Sequence, residues 1–154
     1  VPLLPDELKT ILAPLAEPFQ RRNLQKNESR EILRDENLLL SHAIFTLPIN
    51  QPSDLIFTPL QTLSDHSRYL WVVDDEGTKF ILERTTCTSN RGHACHTNIT
   101  QGKKAYHGGE LWFHNESEIT LNFRSGRYNT RTDEQDSAVV EYFISLGYQV
   151  HLVD

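Results

Sequence analysis

Residues 69–84 read YLWVVDDEGTKFILER, and this stretch decides the fold. Two apolar runs, Tyr69 to Asp74 and Lys79 to Arg84, flank the polar segment Asp74-Asp75-Glu76-Gly77. Gly77 accepts the positive φ that closes a tight turn, so the pair predicts an antiparallel hairpin. Downstream, Glu110 to His114 and Glu118 to Arg124 predict a second hairpin through His114-Asn115-Glu116-Ser117. Within it Leu121 and Phe123 alternate with Thr120, Asn122 and Arg124, the pattern of a strand with one buried and one wet face. Asp54 to Thr58 is a further strand candidate, and Tyr148 to Val153 a last short one.

Helices are expected at both ends of this block. Pro5, Asp6 and Glu7 suit a helix entry, because proline fits the first turn and acids favour the positive end of the dipole. Leu8, Ile11, Leu12 and Leu15 follow at helical spacing, while Pro14 and Pro18 keep that helix short or kinked. A second helix is predicted over 28–40, from the placing of Ile32, Leu33, Glu36 and Leu40. Thr132-Asp133-Glu134-Gln135 has the form of a capping box. The helix it opens is expected to bury Val139, Val140, Phe143 and Ile144 and to stop at Gly147. The fold class is therefore α+β: helices over 1–50, a central antiparallel sheet built of hairpins over 54–154, and a C-terminal helix packed on the sheet.

The 154 residues fit a single domain, and 38% apolar with 23% charged residues is an ordinary globular composition. No apolar run approaches a membrane span. The formal charge of −6 disfavours generic binding to a phosphate backbone. The chain starts at Val1 and contains no Met, as expected of a trimmed, processed or partial chain, and its start shows no signal-peptide pattern. Cys87 and Cys95 are too few for a disulfide scaffold, and reduced thiols are the expectation. Asn27, Asn98 and Asn115 head glycosylation sequons that chance accounts for in a chain this rich in Asn, Ser and Thr.

Chemistry is concentrated in the segment 87–109, which is long, polar and aperiodic and holds Cys87, His93, Cys95, His96 and His107. Cys95 and His96 are adjacent, and no donor pair has the two-residue gap that turns both toward one ion. A solvated loop with no metal is the expectation, and no cofactor fingerprint is present. Glu110 follows Gly108-Gly109, where small residues admit another backbone or a ligand, so it is either a general base or an edge carboxylate. Gly126 turns the chain after a strand, so Arg127 and Tyr128 either project to hold an anion or planar group, or form a structural corner. Ser125 lacks a nucleophile elbow around it.

These residues carry a resemblance. His96-Thr97-Asn98-Ile99-Thr100-Gln101-Gly102, then His107-Gly108-Gly109-Glu110-Leu111, then Ser125-Gly126-Arg127-Tyr128 are similar, in order and spacing, to the central block of plant IQ-motif calmodulin-binding proteins. A similar block is shared by C-terminal modules of some bacterial polymorphic toxins and effectors. In that pattern His-His-Ser-Ser-Phe-Leu-Ala-Gly leads to Ala-Ala-Gly before a strand, then to Ser-Gly-His-Tyr and a helix. His96, Gly102, Gly109, Leu111, Ser125, Gly126 and Tyr128 match; Cys95, Thr97, Asn98, Arg127 and Thr130 depart from it. No IQ motif is present, so calmodulin binding does not carry over. The resemblance implies a soluble effector or toxin-type module, secreted by a bacterium and active in the target-cell cytosol. Its partner would be a host or target-cell protein or a small nucleotide-like ligand. Ser125, Arg127, Tyr128 and His107 are the ligand-binding candidates. The alternative is a toxin-type enzyme acting on a nucleotide, NAD or RNA, with His96 and Glu110 as acid and base. His96 is expected beside Ser125 or Tyr128, because adjacent antiparallel strands return the chain to the same end of a sheet.

Overall fold

The structure is a computed structural model that describes residues 4–16, 45–46, 55–83, 96–100, 103–125, 128 and 132–153. Their elements are α1 (Asp6–Leu12), β1 (Phe45–Thr46), a 3-10 turn (Asp65–Ser67), β2 (Tyr69–Asp74), β3 (Gly77–Leu82), α2 (His96–Thr100), β4 (His107–Phe113), β5 (Glu118–Leu121), α3 (Asp133–Ser145) and β6 (Gln149–Leu152). The strands form one sheet in the order β1-β3-β2-β4-β5-β6. It is antiparallel except for its last pair, β5 and β6, which run parallel.

Both expected hairpins are present. In the first, Asp74 pairs with Gly77, whose φ is 124°, and the Asp74 carboxylate accepts the Glu76 amide at 2.9 Å to complete the turn. In the second, Leu111, Trp112 and Phe113 pair with Leu121, Thr120 and Ile119. Every residue of β2 is buried, because β2 lies between β3 and β4 and is covered on both sides of the sheet. That double burial is why its sequence is a continuous apolar run with no alternation.

One side of the sheet presents Tyr69, Trp71, Val73, Phe80, Leu111, Phe113, Ile119 and Leu121 to Leu8 and Leu12 of α1 and to Val139, Tyr142 and Phe143 of α3. Tyr69, Phe80 and Phe113 meet there with ring centroids 5.3 to 5.5 Å apart. The opposite side carries Leu70, Val72 and Ile81 against Ile99 of α2, Ala105 and Tyr128. Thr120 and Asn122, expected on a wet face, are 4% and 3% exposed, Thr120 bonded to His114 and Asn122 to Glu110.

The capping box of α3 is formed in both directions, with the Gln135 amide donating to the Thr132 hydroxyl and the Thr132 amide to the Gln135 side chain. The same Gln135 side chain donates to the Ile11 carbonyl at 3.2 Å, tying the end of α1 to the start of α3. At the far end Tyr148 N–H donates to Phe143 O and Gly147 N–H to Ile144 O, a Schellman closure that Gly147 permits at φ 103°.

Several expectations are corrected. Residues 55–58 form no strand; Phe57 makes only a single parallel bridge to Phe113. The strands expected over 79–84, 110–114, 118–124 and 148–153 are Gly77–Leu82, His107–Phe113, Glu118–Leu121 and Gln149–Leu152. Val140 is half-buried and Ile144 is 47% exposed, while Tyr142 takes the buried place. The helix therefore turns Tyr142, and not Ile144, into the core beside Val139 and Phe143. The segment 87–109 contains a short helix, α2, whose Ile99 supplies an apolar anchor. The helix expected over 28–40 lies outside the described residues.

Candidate functional site

Gly108 and Gly109 lie inside β4, paired with Val72 and Trp71 of the central strand. Having no side chains there lets three groups close on β4 at once. A Cβ on Gly109 would stand 2.1 Å from the Asn122 carbonyl oxygen and 2.7 Å from the Trp71 ring. A Cβ on Gly108 would stand 3.1 Å from Ser125 Oγ and 3.2 Å from His96 Cδ2. His96 and Ser125, expected to be neighbours, therefore both lie over the face of Gly108 where a side chain would stand.

Beyond Leu111 and Leu121 the regular β4–β5 ladder gives way to side chains. Asn122 donates its main-chain N–H to Glu110 O at 3.0 Å, and its side-chain oxygen accepts both Glu110 N–H and Arg124 N–H at 3.0 Å. The Trp71 indole N–H is shared between the carbonyls of Glu110 and Asn122, 3.2 Å from each. His96 Nε2 donates to Gly109 O at 2.8 Å, adding a side-chain donor to a carbonyl on the residue that pairs with Trp71 in the sheet. Because a carbonyl only accepts, Nε2 carries the proton. Burial pushes the pKa of the ring below its ordinary value, against the opposing pull of the Gly109 hydrogen bond and the Glu110 charge. The neutral ring keeps its lone pair on Nδ1.

Ser125 Oγ accepts the Tyr128 amide at 3.1 Å, which makes the corner. The Tyr128 hydroxyl donates to Lys103 O at 2.7 Å and accepts from Thr100 Oγ1 at 2.6 Å. The phenol thereby clasps the end of α2 and the chain after it to the corner. Tyr128 is 3% exposed, so the structural-corner reading describes its position.

Glu110 is a half-buried carboxylate on a central strand, and not at a sheet edge. One oxygen accepts from Asn122 Nδ2 at 2.9 Å and the other faces Arg68 Nε at 3.3 Å. Arg68 also pairs with Glu83 and, at 3.1 Å, with Asp65. His107 belongs to the opposite side of the sheet, since neighbouring strand residues point to opposite faces. There its ring stacks on Trp71 at 5.8 Å and 22°, and Nε2 meets Asp136 of α3 at 2.9 Å. The sheet thus brings together His96, Ser125, Tyr128 and the Glu110 charge, and separates His107 from them. Arg127 lies outside the described residues.

Asn122, Trp71, Thr100, Arg68 and Asp136 were not among the candidates. For Asn122 a signal existed: an amide, both donor and acceptor, lies in the strand expected to pair with the one that Gly108-Gly109 precedes. For Asp136 and Arg68 there was none, since their partners come from distant segments. Among the described residues no group of three His, Cys, Asp or Glu side chains is arranged to hold a metal ion, and Cys87, His93 and Cys95 lie outside them. The chain matches no protein-family model, no curated protein and no solved structure.

The buried His96 has a pH signature. Its folded pKa is below the unfolded value of about 6.5, so the unfolded chain takes up a proton that the folded one refuses. Its contribution is full above that value and is lost as pH falls toward the folded pKa, at up to about 1.4 kcal/mol per pH unit. His96→Gln retains an amide donor for Gly109 O but cannot titrate. Urea unfolding at pH 7.5 and at pH 5 (about two and a half units apart) should show a smaller acid-induced loss in the variant. Equal losses would mean that His96 is protonated in the fold.

Proposed function

We propose that this chain is an effector-type module that acts by binding, through one surface formed by the 87–109 loop and the Ser125–Tyr128 corner. The observation that carries this reading is the Tyr128 hydroxyl held between Thr100 and Lys103, which fixes loop and corner to each other. Lys103 and Lys104 are exposed beside that clasp and offer a basic contact on an otherwise acidic protein. His96, Ser125 and Tyr128 spend polar atoms on main chain and on each other, which suits a preorganised platform more than a reacting centre. The resemblance to effector and toxin modules supplies the biological setting: release from a bacterium and a protein partner in the target-cell cytosol. No helix among the described residues is long and apolar enough to cross a membrane.

The enzyme reading has one observation in its favour, the Glu110 charge acting on the His96 ring, whose Nδ1 lone pair would serve as base on a nucleotide, NAD or RNA. A photo-crosslinking residue at Lys104, with the same residue at exposed Gln61 beyond the other end of β4 as control, separates the readings. In a eukaryotic cytosolic extract the binding reading expects one discrete adduct from position 104 and none from 61. Indistinguishable labelling from both positions would sink it. Turnover of NAD, ATP or a short RNA that Glu110→Gln abolishes, at unchanged melting temperature, would establish the enzyme instead.

A further inference from the structure

We propose that the free edge of β6 pairs antiparallel with β6 of a second copy of this chain, about a two-fold axis through His151, to form a dimer with one continuous sheet. The backbone phase of β6 dictates the register. Gln149 N–H donates to Ser117 O and Val153 N–H to Leu121 O, so the odd-numbered residues serve the parallel ladder with β5. Val150 and Leu152 consequently turn their N–H and C=O groups outward, and no hydrogen bond among the described residues uses them. Two outward-facing residues separated by one form a self-complementary set. With the axis on His151, Val150 exchanges both backbone bonds with Leu152 of the second copy, and Leu152 does the same with the second Val150.

The side chains agree with that register. Gln149 to Val153 contains no Lys, Arg, Asp, Glu or Pro, the residues that commonly blunt a sheet edge, and an identical strand brings no fixed like charges opposite each other. Leu152 is 60% and Val153 37% exposed. Val150 packs against the core on the α3 side of the sheet, and Leu152 shares that side by strand alternation. The two-fold lays Leu152 of each copy over Val150 of the other, covering apolar surface that a lone copy leaves in water. On the opposite side each His151 ring is already bonded to Glu118 at 2.7 Å, so the pairing demands no new partner for it. A contact of one short strand per copy belongs to the small, weak class of interfaces, and the dimer is expected to be reversible. This inference does not depend on the binding surface proposed above, which is elsewhere on the sheet.

Sedimentation velocity of the full chain over a concentration series up to about 1 mM should show one reversible monomer–dimer step. Amide exchange read by NMR over the same series should slow at Val150 and Leu152 and stay unchanged at His151, whose amide is already in the β5 ladder. Leu152→Pro removes an outward donor that the fold does not use, and Leu152→Lys places a charge on the edge. Each should weaken dimerisation by about tenfold or more with the melting temperature of the monomer unchanged. A wild-type chain that stays monomeric throughout, a dimer indifferent to both substitutions, or open-ended oligomers would each overturn the proposal.

Discussion

Replacing Gly109 by alanine is expected to cost more than about 3 kcal/mol of stability, enough to unfold much of the protein or shift its urea midpoint far below wild type. The new methyl would lie 2.1 Å from the Asn122 carbonyl oxygen and 2.7 Å from two atoms of the Trp71 ring. None of these can retreat cheaply. The carbonyl belongs to the chain leaving β5, and the indole is 0% exposed, stacked on His107 and in edge contact with Phe143 at 5.6 Å. Its N–H also holds the carbonyls of Glu110 and Asn122, so displacing the ring leaves buried acceptors short of a donor. Gly108→Ala is the control, one residue away and on the other side of the sheet. Its methyl meets Ser125 and His96 side chains at 3.1 to 3.2 Å, which can yield by a few tenths of an ångström, and the expected loss is about 1 kcal/mol. Equal unfolding free energies for the two variants would show that β4 and β5 do not close around Gly109 as described.

Val139→Asp should destabilise the protein by more than about 4 kcal/mol, and the neighbouring Val140→Asp by only about 1 kcal/mol. Val139 is 0% exposed among Trp71, Leu111, Phe143 and the rest of the main core, where a carboxylate finds neither water nor a cation. Val140 is half-buried, one helical step round toward solvent, so an aspartate there can turn its charge outward. From sequence alone the two valines are equivalent members of one stripe, and Val140→Asp would be expected to be severe. Thermal melting of both variants ranks them; the reverse order would require α3 to be rotated by most of a third of a turn.

That ranking shows where sequence stops being sufficient. Apolar runs on either side of Asp74–Gly77 and Asn115–Ser117 specify two hairpins, because turn chemistry is local and each run lies next to its turn. The Thr132 capping box and the Gly147 stop are equally local, and both are present as read. The sequence also placed His96 and Ser125 at one end of the sheet, since a loop entering one strand and a turn leaving its neighbour must meet. What tertiary structure alone decided is everything that depends on which side of the sheet is covered and by what. Asn122 and Thr120 have the spacing of a wet face and are buried, Asn122 bonded to Glu110 and Thr120 to His114. His107 and His96 occupy the same chemical segment and finish on opposite sides, the one against Trp71 and Asp136, the other on Gly109 O. Glu110 became one arm of an ion-pair cluster through Arg68, which is 42 residues away in sequence and leaves no local trace there. Local chemistry selects the elements of this protein, whereas packing selects which of their two faces is wet, and each polar side chain takes its role from that second choice.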